Sequence, residues 1–255
     1  MVPPESTEVD SFQFTREQWA FLRHMNHDLR TPLMTILGTC EMLADGTYGE
    51  ASPKQQKALD RVLRNSRHLE SLLTHAMTYI RLKSNALALH SDPIPIAEFL
   101  NDLLAEGRQR IADKPLTVGL VILAEMPATI TGDSMYLAMI VRELITNSVN
   151  FTPAGKVVIQ VVPDHDQWVL TVQDTGIGLA SDDIGHVFDP FWRGQDAKTY
   201  APQGDGLGLT VVKDLVYAMH GTLEIQSQPT AGCCVTVRLP QVIPSQNAPL
   251  TTNNS

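Results

Sequence analysis

The histidine at position 27 has neighbours that could make it a nucleophile. Met25 and Leu29 belong to a run of apolar residues spaced by three and four, and His27 lies two residues from each. On a helix it therefore projects from the opposite, solvent-facing side. Asp28 follows directly and can orient the imidazole, while Thr31 lies one turn further along the same face. Because imidazole ionises near neutral pH, the pattern predicts either a nucleophilic histidine or an ordinary exposed one.

A second group of polar side chains shares one face of a predicted helix. Glu143 and Asn147 are four residues apart, and Asn150 follows one turn later, just before Phe151. A carboxylate and amides on one face can bind a hard cation through oxygen, and Mg²⁺ with retained waters suits such a sparse ligand set. By itself the pattern is equally compatible with a solvated helix face.

Two glycine-containing segments could bind a nucleotide. In the first, Asp174 follows a predicted strand and can accept a hydrogen bond from an exocyclic amine, while Gly176 and Gly178 let the backbone approach a flat ring. The second, Gly-Asp-Gly-Leu-Gly at 204–208, opens a predicted helix, where backbone N–H groups point at anions. Arg193, between the two segments, can reach a phosphate. No Gly-Lys-Ser/Thr follows, so this is not a P-loop.

Two long helices must position the histidine. The apolar spacing predicts one helix over 14–44, bent at Pro32, and a second from 53 to about 83 with Ser52 as its cap. The predicted apolar stripe of the first helix comprises Leu22, Met25, Leu29, Leu33, Ile36, Cys40 and Leu43. Two antiparallel helices with one stripe each cannot close a core, so pairing with a second copy in a four-helix bundle predicts a homodimer. The alternative is that both helices pack on the carboxy-terminal part of the chain.

The remainder of the chain alternates helices and short strands. Helices are predicted over 96–112, 134–151 and 207–219, and strands over 116–123, 157–162, 168–172, 222–226 and 233–239. Helices on one side of a mixed, largely antiparallel sheet make a two-layer α/β sandwich, so the whole chain is of the α+β class. The expected division is a linker at 1–13, a helical domain at 14–84, a hinge at 85–92, a sandwich domain at 93–240 and a disordered tail at 241–255.

Composition excludes several classes of protein. The chain of 255 residues carries a net charge of −9 without a Lys/Arg cluster, which argues against a nucleic-acid surface. Its three cysteines form no disulfide framework. No apolar run reaches membrane-spanning length and the first ten residues are acidic, so we expect a cytoplasmic protein without a membrane span in this chain.

Five ordered segments resemble the sensor histidine kinases of two-component systems. His-Asp-x-Arg-Thr-Pro, which begins at His27, is similar to their phosphoacceptor box. The segments at 142–151, 174–178, 188–193 and 204–209 are similar to the N, G1, F and G2 boxes of their gyrase-type ATP domain. The resemblance spans residues 14–240 and implies a dimerisation and phosphotransfer hairpin followed by an ATP-binding domain, with ATP and Mg²⁺ as cofactors.

The resemblance also implies a role for each matched residue. His27 would be the phosphoacceptor, with Asp28 as its polarising partner. Thr31 would position water for dephosphorylation of a partner, and Glu143 lies where gyrase-type relatives hold their catalytic glutamate. Asn147 would bind Mg²⁺. The residues implied to contact ATP are Asn147, Asn150, Phe151, Asp174, Gly176, Gly178, Arg193, Lys198, Gly204, Gly206, Leu207 and Gly208.

The chain departs from the family pattern at two positions, one in the N box at 142–151 and one in the implied ATP lid, residues 189–205. Asn150 stands where these kinases often have a lysine, and Asp205 replaces a small hydroxyl residue. Both differences remove positive potential near the triphosphate, and Lys198 could compensate if the lid folds over.

The expected function is ATP-dependent autophosphorylation on His27, followed by transfer to an aspartate in the receiver domain of a response regulator. Where such a kinase also dephosphorylates its regulator, Thr31 would be involved. An upstream sensor module would lie outside this chain. The alternative is a pseudokinase, a dimeric scaffold that binds nucleotide without catalysis. A gyrase-type ATP-driven clamp would leave the His27 segment unexplained.

Overall fold

The computed structural model of the chain describes residues 16–84, 86–109, 114–202 and 204–244. These residues form two compact units that divide between Leu87 and Ala88, inside the predicted hinge at 85–92. The predicted linker at 1–13 lies outside the described residues, as does the tail beyond 244.

The first unit is a hairpin of two long helices, α1 (Arg16–Ala44) and α2 (Pro53–Lys83). α1 is helical on both sides of Pro32. At the start of α2 the Ser52 hydroxyl accepts the backbone N–H of Gln55, and the Gln55 side-chain oxygen accepts the backbone N–H of Ser52. Both predicted helices and the predicted cap are confirmed. No helix in the described ranges is both long and apolar enough to cross a bilayer.

The apolar face of α1 is only partly covered by α2. Leu33 and Leu37 are buried against Leu63 of α2, with Cys40 beside them. The exposed large apolar residues of the hairpin include Phe21, Met25, Leu29, Ile36, Val62 and Leu69. The predicted stripe therefore contains residues that α2 covers, such as Leu33, and residues that it leaves exposed, such as Leu29. Side chains at steps of three and four spread over a wide arc of the helix, and a single neighbouring helix covers only part of it.

The second unit is built on a five-stranded sheet. Its elements in chain order are β1 (Asp92–Pro95), α3 (Ile96–Gln109), β2 (Leu116–Ile122), β3 (Thr129–Gly132), α4 (Ser134–Phe151), β4 (Gly155–Asp164), β5 (Gln167–Asp174), α5 (Ser181–Ile184), α6 (Ala197–Tyr200), α7 (Gly208–Ala218), β6 (Thr222–Gln228) and β7 (Gly232–Pro240). The spatial order of the large sheet is β2-β4-β5-β7-β6. Among these neighbours only β2 and β4 run parallel, so the predicted mixed, largely antiparallel sheet is confirmed.

The longer helices cover one face of this sheet. α4 packs on α3 and α7 as well as on β4 and β5, and α7 also packs on β6. On β4 the side chains of Val157, Ile159 and Val161 are completely buried, while Gln160 between them is exposed. This alternation is that of a strand with one face against a core, and it gives the predicted two-layer sandwich.

The carboxyl end of the second unit extends beyond the predicted boundary at residue 240. Val242 pairs in parallel with Thr131 of β3, and the Thr131 carbonyl accepts the Ile243 N–H at 2.8 Å. Ile243 is only 1% exposed, and its carbonyl accepts the Ser91 hydroxyl at 2.7 Å. Residues 241–243 are therefore part of the folded unit, contrary to the expected disorder. The signal was missed because a short edge segment carries no periodicity of its own.

Candidate functional site

His27 occupies an exposed position on α1. Its side chain is 81% exposed, and Nδ1 lies 3.4 Å from Oδ1 of the equally exposed Asp28. A proton on Nδ1, directed at Asp28, leaves the lone pair of the ring on Nε2. The geometry therefore agrees with the predicted pairing of these two side chains, and it leaves the second nitrogen of His27 pointing away from the carboxylate.

Thr31 is exposed one turn after His27, as predicted. Its hydroxyl donates to the His27 carbonyl at 3.1 Å, and the Thr35 hydroxyl donates to the Thr31 carbonyl in the same way. Such bonds to the preceding turn are common for hydroxyl residues in helices. In this conformation the Thr31 proton is directed at the backbone, and the oxygen lone pairs remain able to accept a hydrogen bond from water.

In the second unit, α4 presents the predicted polar face. The Asp133 carboxylate caps the helix by accepting the Tyr136 N–H at 3.1 Å. Glu143, Asn147 and Asn150 follow on the helix and are all half-buried. A half-buried row of oxygen-bearing side chains at this spacing can contribute to a Mg²⁺ site only together with other ligands. The described residues contain no cluster of three or more His, Cys, Asp or Glu side chains suited to a metal.

Asp174 lies at the end of β5 and is only 5% exposed. Its Oδ1 atom accepts two backbone N–H groups, from Gly176 at 2.9 Å and from Cys233 at 3.1 Å. Burial raises the pKa of the Asp174 carboxyl, and these two N–H bonds, helped by the Ser148 hydroxyl, oppose that rise. A buried carboxylate held through one oxygen is a directional acceptor for a donor such as the amine of adenine.

Next to this carboxylate lies a buried hydroxyl without a hydrogen-bond partner. Thr152 is completely buried, and its Oγ1 makes no hydrogen bond of good geometry with any described residue, although it lies close enough to Asp174 to favour the ionised form. A Cβ atom on Gly176 would come within 2.8 Å of this Oγ1. Buried hydroxyls normally have partners, so an orphan beside Asp174 fits a site that a polar ligand or water completes.

Sequence reasoning missed Ser148, Thr152 and Cys233 as parts of this site. Ser148 and Thr152 are four apart near the end of α4, a spacing that could have been noticed. Cys233 is joined to Asp174 only by strand pairing across the sheet, and no local pattern reports that contact. Burial and the charge on Asp174 raise the pKa of the Cys233 thiol to about 12, so it stays protonated.

The glycines after Asp174 lie close to other parts of the protein backbone. A Cβ atom on Gly176 would collide with the Phe151 carbonyl oxygen, and one on Gly178, whose φ is +67°, would collide with the Gln228 carbonyl. The Ile177 N–H donates to the same Phe151 carbonyl at 3.1 Å. These glycines let the loop approach the protein's own backbone, so their role as contacts to a flat ring remains a prediction.

The lid segment begins with a turn that joins its two ends. The Phe191 N–H donates to the Gly206 carbonyl at 2.9 Å, and both residues have positive φ, +64° and +72°. Phe191 is 68% exposed. Just before it, the Phe188 carbonyl accepts the Thr210 hydroxyl of α7 at 3.1 Å. The side chain of Lys198 lies outside the described part of the chain.

Arg193 is folded into the lid. Its Nη2 atom donates to the carbonyls of Ala197, at 3.1 Å, and of Ala201, at the two ends of α6. Gly204 packs against the same guanidinium, since a Cβ atom there would lie 3.7 Å from Nε and from Nη2. The predicted contact of Arg193 with a phosphate stays a prediction, and in this conformation Nη2 is engaged by the lid itself.

The helix start at 204–208 is occupied by a carboxylate of the same segment. Asp205 Oδ1 accepts the Leu207 N–H at 2.8 Å, and Leu207 is the residue that precedes α7 (Gly208–Ala218). N–H groups at such a position are those that bind phosphate, and here one of them is engaged by a half-buried carboxylate.

Comparison with known protein families matches both units. Residues 18–85 match the family described as His Kinase A (phospho-acceptor) domain. Residues 132–243 match the family described as histidine kinase-, DNA gyrase B-, and HSP90-like ATPase.

Individual proteins match along nearly the whole chain. Sensor histidine kinase AtsR of Burkholderia thailandensis is 32% identical over 245 residues, which cover 94% of this chain and 40% of AtsR. Sensor protein TorS of Escherichia coli K12 is 29% identical over 238 residues, covering 92% of this chain and 25% of TorS. Among solved structures, full-length ShkA in complex with AMPPNP has a TM-score of 0.69 at 26% identity, covering 93% of this chain and 48% of ShkA. The chain thus spans between a quarter and two fifths of the length of these two curated relatives.

Proposed function

This chain belongs to the two-component sensor histidine kinases, and on that premise we propose that its second unit binds Mg-ATP and phosphorylates His27. The observation that carries the proposal is the buried Asp174 carboxylate, held through Oδ1 beside the unpartnered Thr152 hydroxyl. An adenine amine would donate to Asp174, and a ring nitrogen or a water would accept from Thr152.

Mg²⁺ would be held mainly by the nucleotide itself. Asn147 offers an amide oxygen on α4, and Glu143 supplies a carboxylate one turn earlier on the same face. Both are half-buried, which suits a cation that keeps several waters and phosphate ligands. When bound, Mg²⁺ would neutralise charge on the phosphates. Protein residues then need only orient the nucleotide and keep water away from the reacting phosphorus.

His27 has the properties of a phosphoryl acceptor. The Nε2 lone pair would attack the γ-phosphorus, the bond to the bridging β–γ oxygen would break, and ADP would leave with the electron pair. Positive charge then develops on the ring, and Asp28, whose Oδ1 is 3.4 Å from Nδ1, would stabilise it. At 81% exposure, the imidazole is open to a phosphoryl donor and, afterwards, to a protein acceptor.

Further parts of the proposed function involve a response regulator and a second copy of this chain. An aspartate in the receiver domain of a response regulator would take the phosphoryl group from His27. Thr31 would hold a water near a docked acyl phosphate through its oxygen lone pairs, giving a phosphatase activity. The exposed apolar row on α1, which includes Met25, Leu29 and Ile36, supports a homodimer through the hairpin.

Labelling with γ-³²P-ATP and Mg²⁺ tests the kinase directly. We expect label that is stable in base and lost in acid, as for a phosphohistidine, and none after chelation of Mg²⁺. Asp174→Asn keeps the size of the side chain, but because the N–H groups of Gly176 and Cys233 hold its one oxygen, its amide N–H groups would face the adenine amine in place of an acceptor. Label of equal intensity in Asp174→Asn would contradict the proposed site.

A nucleotide-binding pseudokinase is the second candidate. It is favoured by the engagement of the Leu207 N–H with Asp205 and by Asn150 in place of a cation. Labelling combined with calorimetry separates the two, because a pseudokinase would bind an ATP analogue in calorimetry yet give no labelled His27.

A further inference from the structure

The guanidinium of Arg193 forms hydrogen bonds with two separate residues of the lid. Nη2 carries two hydrogens, and they are directed at the carbonyls of Ala197 and Ala201. The Ala197 carbonyl also accepts the Ala201 N–H at 2.9 Å, and the Ala201 carbonyl accepts the Gly204 N–H at 3.0 Å. The side chain of Arg193 therefore contacts both ends of α6 (Ala197–Tyr200). Its second acceptor, the Ala201 carbonyl, is also hydrogen-bonded to Gly204, the first glycine of the segment at 204–208.

These contacts compete with binding to a phosphate. Since both hydrogens of Nη2 are used, the side chain cannot turn this end to a phosphate without breaking the lid's own hydrogen bonds. The guanidinium is half-buried, and Gly204 packs on it. An arginine can form this fork because its donors are planar and fixed, whereas a lysine presents a single ammonium.

We propose that Arg193 is a positioning residue that shapes the lid through the Ala197 and Ala201 carbonyls, and that it does not select for the terminal phosphate of the nucleotide. This inference rests on the proposed ATP site. A pre-shaped lid loses less conformational freedom when it closes. The resulting gain in binding free energy is therefore the same for any nucleotide that the lid covers. A phosphate ligand, in contrast, would favour ATP over ADP.

The test compares Arg193→Ala and Arg193→Lys with the natural protein in two measurements. Amide hydrogen exchange of the nucleotide-free protein reports the order of residues 197–201 and 204. We expect exchange there to accelerate at least tenfold in both variants, because neither can form the fork. Arg238→Ala, which removes an exposed ion pair with Asp164 on the sheet, is the matched control and should leave the lid unchanged.

Calorimetry with Mg-AMPPNP and Mg-ADP gives the second measurement. We expect each Arg193 variant to weaken the binding of both nucleotides by the same factor, within threefold. The ratio of the two dissociation constants is then preserved. Unchanged exchange, or a loss for AMPPNP at least tenfold larger than the loss for ADP, would overturn the proposal. If Arg193→Ala does not fold, as judged by circular dichroism, Arg193→Lys decides alone. If the natural protein binds neither nucleotide, the proposed ATP site fails, while the exchange measurement still decides the role of Arg193 in the lid.

Discussion

Replacing Asp205 should strengthen nucleotide binding. Its Oδ1 accepts the Leu207 N–H at 2.8 Å at the start of α7, where an N–H would otherwise be available to phosphate. A phosphate oxygen that used the same N–H would lie within about 6 Å of the carboxylate, since each acceptor must be roughly 3 Å from the nitrogen. Two negative charges at that distance repel each other.

The size of the effect follows from Coulomb's law. At about 6 Å, two unit charges interact by roughly 0.7 kcal/mol in water and roughly 3 kcal/mol at an effective dielectric constant near 20. Asp205 is half-buried at the surface, so screening favours the lower part of this range. We expect Asp205→Asn to tighten Mg-AMPPNP by about 1 kcal/mol, which is roughly fivefold.

Asparagine is the informative replacement because its side-chain oxygen can still accept the Leu207 N–H and keep the turn. Asp205→Ala removes both the charge and the turn. The assay is titration calorimetry with Mg-AMPPNP at two salt concentrations, and the gain should shrink at the higher salt. If Asp205→Asn binds no more tightly while Asp205→Ala does, the carboxylate blocks the N–H without repelling phosphate, and the electrostatic reasoning is refuted.

Four further changes test other parts of the molecule. His27→Gln should abolish γ-³²P labelling while His24→Gln retains most of it, because of these two histidines it is His27 that is followed directly by an aspartate; equal loss in both folded variants would exclude the assignment. Thr31→Ala should keep autophosphorylation within a few-fold, roughly 1 kcal/mol of barrier, but slow regulator dephosphorylation much more, which parallel rate measurements check. Gly176→Ala should cost about 1–3 kcal/mol of stability in denaturant titrations and lose nucleotide binding, since its Cβ meets the Phe151 carbonyl. Asn150→Lys should tighten Mg-AMPPNP threefold to thirtyfold in calorimetry, because it adds one cation near the phosphates.

Local sequence was sufficient for the long helices, for the five strands of the large sheet and for the order of the motifs, but it did not predict the short elements β1, β3, α5 and α6. The cap at Ser52 and the cap at Asp133 depend on contacts only three residues away, so both helix starts could be predicted closely. The alternation along β4 likewise reports burial of one strand face. In contrast, the edge pairing of residues 241–243 with β3 depends on segments over a hundred residues apart, and no local spacing indicates it.

The same distinction applies within the candidate site. The chemical roles of His27, Asp28 and Asp174 could be predicted from sequence alone. Each role depends on one side chain and its near neighbours along the chain. Only the tertiary structure places the Cys233 N–H on Asp174, 59 residues away, and leaves the Thr152 hydroxyl buried beside it without a partner.

In the lid, the sequence alone could not predict which groups a side chain contacts. Sequence predicted the side chain of Arg193 as a phosphate ligand because a guanidinium suits that partner. In the folded lid, Nη2 of this side chain donates to two backbone carbonyls, at Ala197 and Ala201. An arginine binds whichever acceptors the fold brings within reach, so the residue type determined what it could donate, and the path of the chain determined where those donors point.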